Sequence, residues 1–265
     1  MDWHHGVECP QRPHLRRAHV AADRALIDST VPFTDRGIER ETPAPRERVA
    51  NAIRYLRPAR ILKGILCLVN SRWIDAGGGR ILHEDWRVPL QVQKQPGARI
   101  TLRGDLRIAS HQGDHNAVLI EMARDSNLEI DGDLVVMQGT KIILSRGASL
   151  YIGGNDGQRE CGITGNCRIM VRKKVHIGKD FLCSWNVFIT DCDWHSLDGR
   201  LGQKETYIGD HVWVTCNCSI LKGSRIGPGC VLANGTVVHQ QEFGPNELVA
   251  GNPATARRKV GAWAW

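Results

Sequence analysis

The sequence predicts a mainly β protein built as a solenoid of short parallel strands, and the spacing of its aliphatic residues is the main reason. From residue 208 onward an aliphatic residue stands at every sixth position: Ile208, Val214, Ile220, Ile226, Leu232 and Val238. Small or turn-forming residues recur between them. A period of six fits neither an α-helix nor an ordinary alternating strand. It fits a coil whose flat faces take six residues each, one of which points inward and fills the axis.

The strand pattern also predicts that the coil continues upstream in a less regular form. Short alternating runs at 98–108, 128–134, 140–144 and 149–154 each contain or are followed by glycine, aspartate or another small polar residue. Such runs are typical of strands closed by turns. Their uneven spacing indicates degenerate early coils.

An insertion is predicted between two regular stretches of the repeat. The period of six is clear at Ile163, Ile169 and Val175, slips by two to Ile177, and then holds through Cys183 and Ile189. The interval from Ile189 to Ile208 is one residue longer than three faces require. We therefore expect an inserted loop at about 191–205, and insertions in solenoids often build the binding site.

The first 90 residues are predicted to form an N-terminal extension, with the coil domain at 91–265. Residues 1–45 are rich in arginine, histidine, proline and aspartate and show no period, which indicates an irregular leader. The stretch 46–70 mixes aliphatic with basic residues and predicts two short helical pieces that break at Pro58. Two interpretations stay open: a helix that caps the open end of the coil, or a membrane-surface helix that brings the protein to a lipid-linked glycan.

The composition bounds the partners and the compartment. Thirty-five lysines and arginines against 28 aspartates and glutamates give a net charge of +7, which favours anionic partners. Four phenylalanines, three tyrosines and no basic–aromatic motif argue against nucleic acid. Nine cysteines without a CxxC pair argue against a disulfide framework or zinc finger and favour a cytoplasmic location. We expect neither a signal peptide nor a membrane-crossing segment.

Several motifs in the second half of the chain stand out together. They are Asn166-Cys167 followed by Val175-His-Ile-Gly, then Ile208-Gly-Asp-His-Val-Trp213, Ile220-Leu-Lys-Gly-Ser-Arg-Ile-Gly227 and Val249-Ala-Gly-Asn-Pro-Ala254. These residues resemble the hexapeptide-repeat acyltransferases, particularly the maltose and galactoside O-acetyltransferases and their relatives that modify capsular and surface polysaccharides. The resemblance spans about 163–260 and is thin upstream of about 160.

The resemblance implies a left-handed parallel β-helix of triangular section, a known exception to the right-handed crossover rule. It also implies a homotrimer, with acyl-CoA and a saccharide acceptor meeting in clefts between neighbouring coils. The implied reaction moves an acetyl group from acetyl-CoA, as co-substrate, to a hydroxyl of a sugar or glycan precursor in polysaccharide biosynthesis. Direct attack in a ternary complex is favoured over an acyl-enzyme on Cys183 or Cys192, because neither cysteine has a dedicated neighbouring base.

His195 is the predicted general base. In Thr190-Asp-Cys-Asp-Trp-His195 it falls where the family places its catalytic histidine, at the head of the inserted loop. A neutral imidazole can take the proton of the attacking hydroxyl. Asp191 or Asp193 is expected to accept the proton of the other ring nitrogen and fix the tautomer, with no choice between the two. The alternative for the aspartates is turn formation.

Asn166 and Trp213 are the predicted acceptor-side residues. Asn166 matches the asparagine with which the family hydrogen-bonds the sugar, and Trp213 matches a tryptophan that lines the cleft. Turn formation and packing between subunits are the alternatives. The family often has an aspartate a few residues after the asparagine, and here Val171 stands in that place beside Arg172-Lys173-Lys174. The basic triplet favours either an anionic sugar or glycan, or a solvated charge run.

The expected binding site for CoA follows the last coils. Thr215 and Asn234 are predicted to lie along the pantetheine arm, where the family commonly has smaller residues. The cations expected for the phosphates lie beside the closing motif, with a solvated basic segment as the alternative. The complete predicted set is Thr215, Lys222, Asn234, Gly251, Asn252, Pro253, Arg257 and Arg258, with Lys204 and Lys259 as further candidates.

Three rival functions remain open on the same scaffold. The nearest is an N-acetyltransferase acting on serine or a nucleotide sugar. A zinc enzyme like the γ-class carbonic anhydrases would need three histidines on one metal. The available histidines have no spacing that brings three together, so no metal is expected: His111, His115, His176, His195, His211 and His239. A non-catalytic scaffold would have no need of both the histidine loop and the closing motif.

Overall fold

The computed structural model describes residues 58–111, 113–155 and 161–263, all within the unit Val49–Trp265. The leader at 1–45 and the first expected helical piece lie outside the described residues. The described chain begins with one α-helix, α1 (Pro58–Ser71), and continues as short strands.

Every third strand of the coil lies in the same sheet, so each turn of the chain contributes one strand to each of three faces. Sheet A contains β1 (Ala76–Gly77), β4 (Arg99–Leu102), β7 (Asn127–Ile130), β10 (Ser149–Gly154), β13 (Lys174–Lys179), β18 (Thr206–Ile208), β21 (Arg225–Ile226) and β24 (Glu242–Phe243). Sheet B contains β2 (Ile81–His83), β5 (Leu106–Ala109), β8 (Leu134–Met137), β11 (Gly162–Ile163), β14 (Leu182–Cys183), β19 (Trp213–Val214), β22 (Val231–Leu232), β25 (Glu247–Ala250) and β26 (Thr255–Lys259). Sheet C contains β3 (Leu90–Lys94), β6 (Val118–Met122), β9 (Lys141–Leu144), β12 (Arg168–Val171), β15 (Phe188–Thr190), β20 (Ser219–Ile220) and β23 (Val237–Val238).

Neighbouring strands in each face are parallel except at the last one, where β26 runs antiparallel to β25. This arrangement is the predicted left-handed parallel β-helix with an N-terminal helical extension. We call the three edges of the coil the A–B corner, the B–C corner and the C–A corner, after the sheets that the chain leaves and enters there.

The six-residue period places one side chain from each face on the axis. All six residues of the predicted register, from Ile208 to Val238, are fully buried. The pairing aligns them in columns, for example Ile189 with Ile220 and then Ile220 with Val238 in sheet C. Each fully buried aliphatic side chain contributes about 1.5–3 kcal/mol. The hydrophobic effect therefore fixes both the period and the register.

The B–C corner turns through a left-handed backbone in successive coils. Asn166, Asn186 and Asn217 have φ values of 62°, 59° and 59°. Gly139 and Gly235 take the same corner with φ values of 71° and 72°. Glycine and asparagine adopt this conformation at the lowest cost, which explains their recurrence. The side-chain amide of Asn186 also donates to Oδ1 of Asn217 at 3.3 Å, linking two coils.

The parallel pairing begins ahead of the expected boundary at residue 91. β1 pairs with β4 through Ala76 and Thr101, and β2 pairs with β5 through Ile81 and Leu106. The irregular first coils therefore include residues that the sequence assigned to the N-terminal extension. The division of the chain into two domains stays a prediction.

Helix α1 covers the first coil through polar contacts. The Ser71 hydroxyl accepts a hydrogen bond from the Ile81 amide at 3.0 Å, and the buried Asn70 amide lies 2.8 Å from Nε2 of His83. The opposite side of the helix exposes large apolar residues, including Leu68, which is 78% exposed. No helix in the described ranges is long and apolar enough to cross a bilayer. Helix α1 therefore contacts the first coil at its C-terminal end and exposes large apolar residues elsewhere, and its role as a cap or a membrane-surface helix stays a prediction.

We expect Ile220→Ala to destabilise the protein by about 2–5 kcal/mol, because it leaves a cavity in a column of buried aliphatic side chains. The matched control is Ser219→Ala, the neighbouring position that points outward from the same strand. Chemical denaturation followed by circular dichroism measures both free energies of unfolding. Equal losses for the two variants would contradict the assignment of inward and outward positions.

Candidate functional site

The predicted insertion is an antiparallel hairpin at the C–A corner. Its strands are β16 (Cys192–Leu197) and β17 (Arg200–Gln203), and it joins β15 of sheet C to β18 of sheet A. Between the pairs Cys192–Gln203 and Ser196–Leu201 the register shifts, so that β16 bulges. The bulge contains His195, whose side chain is exposed. Bulges redirect side chains and are common beside active sites.

Trp194 holds the bulge in a strained conformation. Its φ of 67° lies in the left-handed region, which a bulky residue rarely adopts. Its indole Nε1 donates to the Thr190 hydroxyl at 3.0 Å, and its backbone amide donates to the sulfur of Cys192 at 3.3 Å. Such strain costs about 1–3 kcal/mol and persists only where other contacts impose it. The chain around His195 is therefore held by contacts to its own hairpin base.

Asp191 anchors the hairpin and does not orient His195, which corrects one of the two expectations for it. Its side chain is fully buried. The carboxylate accepts three backbone hydrogen bonds of 2.7 Å each, from the amides of Arg172, Lys173 and Lys174. Both oxygens are thus engaged by the turn of the coil below. Hydrogen bonds to a charged group are each worth about 1.5–3 kcal/mol, so this carboxylate is a strong structural contact.

Asp193 pairs with Lys222 across the hairpin corner. The ammonium group contacts Oδ2 of the carboxylate, and the lysine side chain is only 13% exposed. Gly202 lies against this pair, and a Cβ at that position would overlap both charged groups. Because the charge of Lys222 is compensated by Asp193, the structure does not support the expected use of Lys222 as a phosphate ligand for CoA. The pair instead joins the hairpin to the next turn of the coil.

Asn166 lies at the B–C corner and is exposed there. Together with the outer side of sheet C it lines a surface groove of about 530 Å³, whose other walls are Arg168, Met170, Asn186, Val187 and Phe188. Trp213 projects outward from sheet B, and its indole donates to the Ser184 hydroxyl at 3.3 Å. Asn166 therefore lies in the B–C corner itself, whereas Trp213 lies on a sheet B strand that leads to the same corner two coils later.

Most residues predicted to bind CoA also lie at or near the B–C corner. The Thr215 hydroxyl donates to the carbonyl of Leu232 at 2.7 Å, and Asn234 is exposed one coil above. The carbonyl of Gly251 accepts a bond from the Val237 amide at 3.0 Å, and the peptide bond between Asn252 and Pro253 is cis. The hydroxyl of Thr215 is therefore used in a hydrogen bond between coils, whereas the Asn234 side chain faces outward.

The basic residues of β26 differ in their partners. Arg257 and Arg258 are exposed. Lys259 forms a 3.0 Å ion pair with Glu247, and its ammonium also donates to the carbonyl of Pro245 at 3.0 Å. Arg257 and Arg258 are therefore better candidates than Lys259 for binding a phosphate of CoA. Lys204 is exposed beside Gly223 at the hairpin corner, away from β26.

Within one chain the predicted site residues divide between two corners of the coil. Asp193, His195 and Lys222 lie at the C–A corner. Asn166, predicted to bind the acceptor, and Thr215 and Asn234, predicted to lie along the pantetheine arm, lie at the B–C corner. The sequence predicted one site from both groups. The rigid sheet between the two corners keeps them apart in the single chain.

The cysteines favour a non-covalent route. Burial raises the pKa of the Cys183 thiol well above its usual value, and Cys183 lies 3.6 Å from the sulfur of Cys167. The sulfur of Cys192 is buried and accepts the amide hydrogen of Trp194. A nucleophilic cysteine must be available as thiolate, which burial without a base opposes. All eight cysteines in the described ranges are free thiols.

Two outward-facing aromatic clusters were not predicted. On sheet A, His176 stacks between Tyr151 and Tyr207, with ring centroids 4.7 Å and 4.6 Å apart. At the A–B corner, Trp263 stacks on His211 with centroids 4.0 Å apart and lies 5.8 Å from Trp213. The signal for the first cluster was present, since each of its residues directly precedes an inward aliphatic residue. The second cluster depends on how the C-terminal segment packs back against the coil, and the six-residue repeat does not predict that packing.

The histidines are spread over different faces. His111 lies near Trp185, His176 is part of the sheet A stack, and His211 contacts Trp263. In the part of the chain that the structure describes, no group of three or more histidine, cysteine, aspartate or glutamate side chains is placed to hold a metal ion. The zinc-enzyme alternative therefore gains no support from the placement of these side chains.

Residues 205–240 match the family model described as bacterial transferase hexapeptide (six repeats). This part of the chain is therefore similar to the hexapeptide-repeat transferases. The chain is 33% identical over 85 residues to the putative acetyltransferase YvoF of Bacillus subtilis (strain 168), which covers 32% of this chain and 48% of YvoF. It is 34% identical over 120 residues to the putative acetyltransferase YJL218W of Saccharomyces cerevisiae (strain ATCC 204508 / S288c), which covers 43% and 58%.

A further relative is the polysialic acid O-acetyltransferase of Escherichia coli O1:K1 / APEC. It is 29% identical over 144 residues, which cover 52% of this chain and 43% of that protein. The chain thus spans about half the length of the curated relatives that it matches.

We expect Asp191→Ala to lower the free energy of unfolding by about 3 kcal/mol, because three backbone amides lose a charged acceptor. Asp191→Asn should lose less, since one amide oxygen remains as an acceptor. The matched control is Glu242→Ala, an exposed acid on sheet A. Urea denaturation of the three variants measures the effect. A loss for Asp191→Ala no larger than that of the control would contradict the anchoring role.

Proposed function

We propose that this protein is an O-acetyltransferase that moves an acetyl group from acetyl-CoA to a hydroxyl of a sugar or glycan precursor. The observation that carries this proposal is the bulged, strained hairpin inserted into the hexapeptide coil, which presents the imidazole of His195 to solvent. The relatives support the reaction class: two are named putative acetyltransferases and one a polysialic acid O-acetyltransferase. The position of the hairpin supports His195 as the general base.

The imidazole of His195 suits the base role because its ring is exposed and can reach the hydroxyl of an acceptor. It would take the proton from the acceptor hydroxyl and later give it to the leaving sulfur. Acetyl-CoA supplies, when bound, an acyl carbon open to attack and a thiol as leaving group. General base catalysis of this kind contributes about 10²–10⁴-fold to the rate. Asp193 remains the candidate that orients the ring. In that role its carboxylate would release the ammonium of Lys222 and accept a hydrogen bond from the imidazole.

A homotrimer is part of the proposal, because the predicted site residues occupy two corners of one chain. The hairpin tip exposes the apolar side chains of Leu197, which is 78% exposed, and Leu201. Exposed apolar side chains on a projecting element favour contact with another protein surface. In a ring of three chains the hairpin of one could lie against the B–C corner of its neighbour. The acceptor residue Asn166 and the base His195 would then come from different copies.

For acetyl-CoA, the residues present fit in part. Arg257 and Arg258 are exposed and can grip a phosphate through two hydrogen bonds each. Asn234 and the Gly251-Asn252-Pro253 turn follow the same corner and would flank the pantetheine arm. Lys222 does not fit this role, since its ammonium is held by Asp193.

We expect His195→Ala to lower sugar-dependent thiol release from acetyl-CoA by about 10²–10⁴-fold, because the hydroxyl loses its proton acceptor. The assay compares sugars and glycans with serine and nucleotide-sugar amines as acceptors, and uses a thiol reagent as readout. The control is His239→Ala, an exposed histidine on the coil. An unchanged rate in His195→Ala would overturn the base assignment. Release only with amine acceptors would favour the N-acetyltransferase alternative.

The free thiols favour a reducing compartment, and we therefore propose a cytoplasmic location. We also propose peripheral membrane contact through residues 46–70. The described half of that stretch, α1, exposes Ile61, Ile65 and Leu68 on its outer side. An amphipathic helix with an apolar face and basic neighbours can lie in the membrane interface. Such contact would bring the site to a lipid-linked acceptor.

We expect Leu68→Asp to reduce the fraction of protein that floats with vesicles containing anionic lipid, since it places a charge on the apolar face of α1. Trp86→Asp, which changes an exposed apolar residue outside the helix, is the control. Flotation in a sucrose gradient gives the bound fraction. If neither wild type nor variants float, the membrane contact is wrong.

A further inference from the structure

The outer side of sheet A carries a ladder of flat side chains next to the hairpin. Tyr151, His176, Tyr207 and Arg225 occupy the same outward position on four successive strands. His176 is nearly parallel to both tyrosine rings, at 9° and 5°. The guanidinium of Arg225 lies 5.6 Å from the centroid of the Tyr207 ring. The ladder is therefore one rigid surface made of aromatic rings and closed by a cation.

A pocket of about 170 Å³ opens at the upper end of this ladder. Its walls are Lys174, His176, Glu205, Thr206, Tyr207 and Arg225. A carboxylate with its hydrogen-bonding partners, or the edge of one sugar ring, fits a pocket of this size. Tyr207 is 39% exposed, so its ring is accessible to a ligand.

The pocket carries more positive than negative charge. Glu205 forms a 3.1 Å ion pair with Lys173. In the described part of the chain, no carboxylate lies within ion-pair distance of Lys174 or Arg225, although Arg225 is the register partner of Glu242. The pocket thus presents two uncompensated cations. Burial lowers the pKa of His176, Lys174 adds to that effect and Asp210 opposes it, so the imidazole between the rings is held neutral.

Direct contacts connect the pocket to the hairpin that carries His195. The backbone amide of Lys174 donates to the Asp191 carboxylate at the base of the hairpin. The ion pair of Lys173 with Glu205 joins the same turn to the chain two residues after the end of β17. The backbone amide of Lys204 donates to the carbonyl of Asp191 at 3.0 Å. The turn that contains Lys173 and Lys174 therefore contacts both the pocket and the base of the hairpin. A saccharide held in the pocket lies beside the hairpin.

We infer that this pocket is a subsite for an acidic saccharide, in which Arg225 and Lys174 bind the carboxylate of one sugar unit while Tyr207 packs against its ring. The inference rests on the proposed function and names the chemical class of its acceptor. Arginine binds carboxylates through two parallel hydrogen bonds, and lysine adds a second charge. Aromatic rings offer an apolar surface for the sugar ring, and the neutral imidazole can exchange hydrogen bonds with hydroxyls.

The test measures binding without acetyl-CoA. Isothermal titration calorimetry at low ionic strength compares a galacturonate tetramer with the neutral galactose tetramer, using the full chain. We expect the acidic tetramer to bind and the neutral one not to bind. Arg225→Gln and Lys174→Gln should each weaken binding about tenfold, as expected for a hydrogen bond to a charged group. Binding of the wild type should also weaken as salt rises, because partly exposed charge pairs are screened.

Two variants serve as matched controls. Arg99→Gln makes the same change as Arg225→Gln on sheet A, several coils away, and Lys141→Gln makes the same change as Lys174→Gln on sheet C. Both should bind like the wild type. Equal affinity for the two tetramers, no binding of either, or equal loss in the controls would overturn the subsite.

Acetyl transfer separates this inference from the proposed function. If the acidic tetramer binds as described but no thiol release occurs with any acceptor, the acetyltransferase proposal fails and the subsite stands. If transfer proceeds equally well to neutral and acidic acceptors and is unchanged in Arg225→Gln, the subsite fails and the acetyltransferase stands.

Discussion

The burial of one aliphatic side chain from every face is the constraint on which the rest of this structure depends. Because the strands are only two to six residues long, few backbone hydrogen bonds hold any one of them. The axis compensates, since each inward residue packs on the residues directly above and below it, as Cys183 does between Ile163 and Val214. Each coil is therefore stable only against its neighbours. This nearest-neighbour dependence explains why both ends need covers, α1 at one and β26 at the other.

The same constraint decides where chemistry can be placed. Inward positions are closed to function because any polar group there would lose its hydration. Outward positions and corners are free to vary, and the chain uses them for the sheet A ladder and for the hairpin. An insertion at a corner leaves the axis intact as long as its ends return in register. Asp191 ensures this return, because one carboxylate binds three amides of the turn below and its own carbonyl accepts the amide of Lys204.

The sequence was sufficient to predict the coil and the position of the insertion, but not the hairpin that the insertion forms or the roles of individual charged residues. The period of six follows from packing along one axis, so it is visible in the chain as a pattern, and the surplus between Ile189 and Ile208 located the insertion. The partners of Asp191 and Lys222 come from other coils, 17–19 and 29 residues away, and no local pattern records them. For this reason the sequence left two aspartates as equal candidates, whereas the contacts separate an anchor from a surface ion pair.

The distribution of the predicted site over two corners follows from the rigidity of a solenoid. In a globular enzyme, loops distant in sequence can fold over one cleft, but here a flat sheet separates the C–A corner from the B–C corner. A change of conformation that joined them would have to break the buried columns. Two routes remain by which His195, the proposed base, could meet an acceptor. Either a neighbouring copy supplies Asn166, or the acceptor lies on sheet A, which borders the same corner as the hairpin. The uncompensated cations beside Tyr207 favour a role for sheet A, and the two routes are compatible if a long acidic glycan crosses both surfaces.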